Sequence, residues 1–205
     1  MTSKLIEMDK DLRDVLINGL VAMRKMNSDM GLKLENLLRF ASENITVEKL
    51  TEACEGAGSR EQGAGSPSYI ILHHSLTKDS GTVSWGAIRT YHTQDKGWSD
   101  IGYHFGIEDV GSHYEIFAGR MPGETGAHCP QQGMNRKSVG ICCVGNFDEI
   151  EPPHEQVMCC LILVRYLMSV WGIETENVLG HREVALDERS CPGRLFDMEK
   201  FRAMI

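Results

Sequence analysis

No stretch of this chain approaches the ~20 consecutive apolar residues that a membrane-spanning helix requires, so insertion into a bilayer is not expected. The N-terminus, MTSKLIEMDKDLRD, has no apolar run after its first lysine. A secretory signal is therefore not legible, and synthesis in the cytoplasm is the expectation. A basic run is missing too. The 21 Lys and Arg stand against 29 Asp and Glu, and the formal charge of −8 argues against nucleic acid or an anionic membrane as the main partner. Nor is there a disulfide framework. The seven cysteines, Cys54, Cys129, Cys142, Cys143, Cys159, Cys160 and Cys191, contain two adjacent pairs and an odd total, which suits reduced thiols.

What is present is an ordinary globular composition, 41% hydrophobic and 24% charged over 205 residues, enough to bury a real core. Composition changes once. Residues 56–67, GAGSREQGAGSP, are dominated by Gly, Ala and Ser and read as a flexible linker. Before it, Leu12, Val15, Leu16, Leu20 and Met23 recur at helical spacing, as do Leu34, Leu37, Leu38 and Ala41, then Val47, Leu50 and Ala53. Residues 1–55 are thus expected to form a small helical segment whose stripes pack on one another or on a second copy of the chain.

Residues 68–205 mix strand and helix signals. SYIILHH (68–74), GYHFGIE (102–108), HYEIFAG (113–119) and SVGICCVG (138–145) are short, β-rich and bounded by turn residues. Ser84 is placed to cap a helix carrying Trp85, Ile88 and Tyr91 on one face and stopping at Lys96–Gly97. A second helix opens after Pro152–Pro153 and runs through Val157, Cys160, Leu161, Val164 and Leu167 to Trp171 and Gly172. The fold class expected is α/β, a central mixed sheet flanked by helices.

The stretch GHREVALDERSCPG, residues 180–193, sets His181 and Cys191 ten positions apart between glycine-marked turns. By themselves the two could be metal ligands, a nucleophile with its base, or unrelated core residues. In ILHHSLT, His73 and His74 are adjacent on an expected strand and point to opposite faces, so only one can serve a given site. Two histidines and one thiolate suit Zn²⁺, and three protein ligands leave one coordination position open, as catalytic zinc sites do. Cys142, Cys143, Cys159 and Cys160 lie in apolar segments and read as small core hydrophobes. His92, His104 and His113 read as structural or exposed.

ILHHSLT, IRTYHTQDKGWSDIGYHFGI (88–107), GAHCPQQGMNRKSVGICCVGNFD (126–148) and GHREVALDERSCPGRLFD (180–197) together resemble the zinc-dependent N-acetylmuramoyl-L-alanine amidases. That family includes phage endolysins, a cytoplasmic muropeptide-recycling amidase and the peptidoglycan recognition proteins. The resemblance runs over about residues 68–200 and does not touch the first 67. It implies that His73, His181 and Cys191 hold one Zn²⁺ per chain and that His74 is a companion without a ligand role. Tyr103 matches the tyrosine that faces the metal. Arg189 replaces a lysine found two residues before the third ligand, keeping the charge but donating a proton less readily. His128 and Asn135 match positions beside the substrate groove. Where some recycling-type members carry a glutamate, this chain has Cys142 and Val144, which favours the endolysin or recognition-protein style of site.

The implied reaction is hydrolysis of the amide between N-acetylmuramic acid and L-alanine in peptidoglycan or a muropeptide, with Tyr103 and Arg189 as catalytic groups. The leading reading is a phage- or prophage-type endolysin or a host cell-wall amidase, acting on the wall after release or export. The alternatives are a muropeptide-recycling amidase, a metal-free peptidoglycan-binding module, and a cysteine peptidase built on Cys129 or Cys191.

Overall fold

A computed structural model describes residues 66–78, 84–111, 113–121, 123–185 and 187–205. The helical segment expected over residues 1–55 and most of the 56–67 linker lie outside the described residues. Five strands, β1 (Tyr69–His74), β2 (Phe105–Asp109), β3 (Tyr114–Ala118), β4 (Ser138–Cys143) and β5 (Val178–Gly180), form one sheet in the order β3-β2-β4-β1-β5. β2, β4, β1 and β5 run parallel, and β3 returns antiparallel to β2 at the edge. β1, reading YIILHH, sits between two parallel neighbours and is buried from Ile70 to His74, which explains its unbroken apolar run. The four expected strands are present within a few residues. β5 is an addition; three residues are too few to show a period, and pairing with β1 creates it.

The helices are α1 (Trp85–Thr90), α2 (Met134–Lys137), α3 (His154–Trp171), α4 (His181–Val184) and α5 (Met198–Ala203) among the described residues. Ser84 caps α1 as expected, its hydroxyl accepting the Ala87 N–H at 3.2 Å, and the Glu108 carboxylate takes the Trp85 N–H. Tyr91 departs from expectation. Trp85 and Ile88 are buried, but Tyr91 is 49% exposed. A stripe spaced by threes drifts by about 60° per step on an α-helix, and α1 widens into a π turn at Tyr91–Asp95. α3 opens after Pro153 and closes at Gly172, whose φ of +62° lets its N–H reach the Met168 carbonyl.

α3 covers one face of the sheet, where Ile70, Leu72, Phe105, Ile107, Val139, Ile141 and Cys143 meet Leu161, Val164 and Leu167, with Met198 and Phe201 of α5 alongside. Leu167 is fully buried there, so Leu167→Ala would cost about 2–5 kcal/mol through lost transfer energy and a residual cavity. The opposite face carries Trp85, Ile88, Ile101, Cys142 and Val144 beneath α1, and Ile71, Cys129, Met134 and Val184 beside α2 and α4. Because β1, β4 and β5 are parallel, all three end at one edge. That edge is where open α/β sheets place ligands.

Candidate metal centre

Alternation along β1 sends Ile70, Leu72 and His74 toward α3, and Ile71 and His73 toward the other face. His73 thus emerges at the carboxyl end of β1, opposite Cys142 of β4 in the parallel register. β5 stops at Gly180, and His181 is the first residue of α4; the Glu183 carboxylate accepts the Gly180 N–H at 2.6 Å and fixes that junction. Cys191 follows on a turn whose Cys191–Pro192 peptide is cis. One ligand atom from each of His73, His181 and Cys191 falls within 4.8 Å of the other two. The Cys191 Sγ lies 3.6 Å from His73 Nδ1, and the two imidazole rings are 4.5 Å apart.

The electrostatics of this cluster suit a cation. Burial above all, then the neighbouring His128 and His181, hold His73 well below the usual histidine range, and burial with Arg189 brings His181 down to about 4. Both imidazoles are therefore neutral near neutral pH and have a lone pair to give, as a metal ligand must. Burial pushes the Cys191 thiol up to about 12, with the His74 backbone N–H and Arg189 only partly opposing. A divalent ion among these atoms would reverse that preference and favour the thiolate. Two neutral imidazoles and one such thiol are a donor set that fits zinc.

The residues around the three are arranged in support. Tyr103 packs its ring 5.2 Å from that of His73. Its hydroxyl is driven well above the ordinary tyrosine range by burial and then by the Cys142 and Cys191 thiols beside it, so it remains a proton-bearing donor. Cys142 is thus more than filler: it is fully buried, as expected, yet it adjoins the Tyr103 hydroxyl. Arg189 places Nη1 3.3 Å from His181 Nε2 and is tethered by the Asp187 carboxylate. Gln131 Oε1 stands 3.5 Å from the same His181 nitrogen.

His128 and Asn135 have protein partners. His128 Nδ1 is 3.0 Å from His73 Nε2. With Nδ1 of His73 turned toward Cys191, an Nε2-protonated His73 donates to His128, which orients the ring from behind. The His128 ring lies on Gly140, where a Cβ would come within 2.5 Å of it, so the strand must carry glycine there. Asn135 Oδ1 accepts the N–H groups of His128 and Cys129 at 2.9 and 2.7 Å and pins that segment.

The remaining histidines separate by role. His104 is almost fully buried; its Nδ1 accepts the Gly140 N–H at 2.9 Å and its Nε2 donates to the Glu124 carbonyl at 3.0 Å. His113 pairs with Glu115 at 3.0 Å. His92 is closer to the site than its sequence suggests, its ring 4.6 Å from Trp98 and 5.7 Å from Tyr103. Arg182 and Asp148, which shape the Cys191 turn, carry no sequence signal of their own: each is one charged residue among many.

Residues 63–194 match the family model described as N-acetylmuramoyl-L-alanine amidase. The chain is 32% identical over 190 residues to peptidoglycan-recognition protein LB of Drosophila melanogaster, covering 87% of this chain and 77% of that protein. Among solved structures, the endolysin N-acetylmuramoyl-L-alanine amidase LysCS of Clostridium intestinale is 31% identical with a TM-score of 0.58, over 70% of this chain and 90% of that one. Drosophila PGRP-LB, as a point mutant in complex with tracheal cytotoxin, is 30% identical with a TM-score of 0.56, over 71% and 89%. With the three-residue cluster at the carboxyl edge of a mixed sheet and a family match across most of the described residues, this chain belongs to the N-acetylmuramoyl-L-alanine amidase family.

Proposed function

We propose that this protein is a zinc-dependent amidase that cleaves the bond between the lactyl group of N-acetylmuramic acid and L-alanine in peptidoglycan or its fragments. The observation that carries this reading is the convergence of His73, His181 and Cys191, with ligand atoms within 4.8 Å of one another. Zinc held there would lower the pKa of a water toward ~7 and polarise the scissile carbonyl. The protein's own groups do the rest. Tyr103, protonated and beside His73, donates to the carbonyl oxygen as negative charge develops on it. Arg189 offers a second, permanently charged donor at the rim. Donors of this type are typically worth about 3 kcal/mol of barrier each. His128 holds His73 in one tautomer and orientation.

A peptidoglycan fragment as ligand is supported by the related PGRP-LB, which binds tracheal cytotoxin. The wall itself would be reached after release or export. A metal-free binding module is less well supported, because the cysteine that non-catalytic relatives tend to lose is present as Cys191. A cysteine peptidase fits least: a thiol pushed up to about 12 beside an imidazole that resists protonation makes a poor nucleophile–base pair. Purified peptidoglycan treated with the protein, with and without chelator, tests all three. Release of free L-alanine amino termini that stops on chelation and returns with zinc is the expected result. Binding without cleavage would establish the module, and cleavage that ignores chelator but yields to alkylation the thiol enzyme.

A further inference from the structure

The turn that carries Cys191 is gripped from two sides. On one, the backbone N–H of Arg182, next to His181, donates to the Cys191 carbonyl at 2.6 Å. The Arg182 guanidinium donates to the carbonyls of Ser190 at 3.2 Å, Gly193, and Phe196 at 2.8 Å. On the other side, Asp148 Oδ2 accepts the Ser190 hydroxyl at 2.6 Å and Oδ1 accepts the Arg194 N–H at 2.8 Å. The Phe147 carbonyl takes the Leu195 N–H at 2.9 Å, and the Phe147 N–H is held by His74 Nδ1 at 3.2 Å. The circuit therefore closes from β1 through the segment after β4, the Cys191 turn and α4, back to β5.

We propose that Asp148 and Arg182 are positioning residues that clasp the Ser190–Phe196 turn and set the Cys191 thiol against His73 and His181 before any metal arrives. A turn lying outside the sheet has no ladder to hold it, so ordering it on metal binding would subtract from affinity. The clasp removes that cost in advance. Each guanidinium and carboxylate contact is charge-assisted and directional. The Ser190 hydroxyl, first among its partners, keeps the Asp148 carboxyl below the usual carboxylate range, so it stays an acceptor at neutral pH. Arg182 also couples two ligands, because the residue that follows His181 grips the segment bearing Cys191. Here His74, with no ligand role, acts at one remove by fixing Phe147.

This inference builds on the proposed metal site, so its test has one readout that needs no metal. In the full-length protein, Ser190→Ala deletes only the hydroxyl that Asp148 accepts, without changing charge, and Asp148→Ala removes both acceptor oxygens. The first readout is the rate of Cys191 alkylation by iodoacetamide in chelator-treated protein, followed by peptide mass spectrometry with the buried Cys142 as internal reference. The second is zinc affinity by chelator competition. Both variants should alkylate Cys191 about tenfold faster or more and bind zinc about tenfold more weakly or worse, the scale of a lost hydrogen bond to a charged group. Wild-type alkylation rates in either variant overturn the clasp, whatever the zinc result. Faster alkylation in both, with no zinc taken up by the wild type, keeps the clasp and refutes the metal reading.

Discussion

The Cys191 Sγ stands 3.6 Å from His73 Nδ1 although 118 positions separate them along the chain. The parallel sheet makes this proximity possible: β1 delivers His73 at its carboxyl end, β5 delivers His181 beside it, and the turn after α4 brings Cys191 over both. No one of the three is informative alone. Their convergence is what makes each a candidate metal ligand.

One zinc per chain is expected. In His181→Ala the proposed set would fall to two protein ligands, and both zinc content and amide hydrolysis should be lost. Elemental analysis that finds one zinc per chain in this variant would remove His181 from the ligand set.

Tyr103→Phe deletes a hydroxyl and leaves the ring that packs on His73. If the hydroxyl stabilises the developing oxyanion, kcat should fall on the order of tenfold or more while zinc content is unchanged. An unaltered kcat would reduce Tyr103 to a packing role.

His128→Ala separates two roles. As the partner of His73 Nε2, His128 should matter for metal, and its loss should weaken zinc binding by about 10–100-fold. As a substrate contact, it would instead raise KM with zinc affinity unchanged. Measuring both quantities in one variant decides between them.

His104 makes stability depend on pH. Burial above all brings its pKa from the ordinary 6.5 down to about 4. Between these values the unfolded chain binds the proton and the folded chain does not, so stability rises with pH. The neutral His104 therefore contributes fully above about pH 6.5, and up to about 3 kcal/mol is lost as pH falls toward 4. Urea midpoints of the metal-free protein should decline across that interval, and His104→Gln should make the decline shallower, the rest belonging to the other buried histidines, His73, His128 and His181. A pH-independent midpoint would contradict the neutral, buried imidazole.

A chain beginning near Ser66 should fold, bind zinc and cleave small muramoyl-peptides, since every residue assigned to the site lies beyond the linker. Activity on whole walls would fall if residues 1–55 serve targeting. A truncated chain that is insoluble or free of zinc would show that the first 65 residues complete the catalytic unit, and the two-unit division would be withdrawn.

Much of this architecture was legible in advance because local chemistry signals it. Ser84, Pro153 and Gly172 mark helix ends through caps whose physics is local, and YIILHH and SVGICC are apolar enough to be strands with both faces covered. The exposure of Tyr91 is not legible, because the widening of α1 into a π turn has no signature in spacing. β5 leaves no signal either, because three residues become a strand only through a neighbour. The roles of Arg182 and Asp148 are silent for a related reason: their partners are backbone carbonyls, N–H groups and a hydroxyl, which leave no trace in residue type.

By itself, the sequence determined the residue types of the proposed ligand set, the alternation that sends His73 and His74 to opposite faces, and four ordered blocks sufficient to name the family. Those are properties of bonds and of nearby side chains. Tertiary structure alone decided that His73, His181 and Cys191 meet, that His128 stands behind His73, that Cys142 adjoins the Tyr103 hydroxyl, and that Asn135 serves the backbone. Each of these depends on strand order and on burial, which shifts the histidines down and the thiol up only once water is excluded. Strand order and burial belong to the whole folded chain.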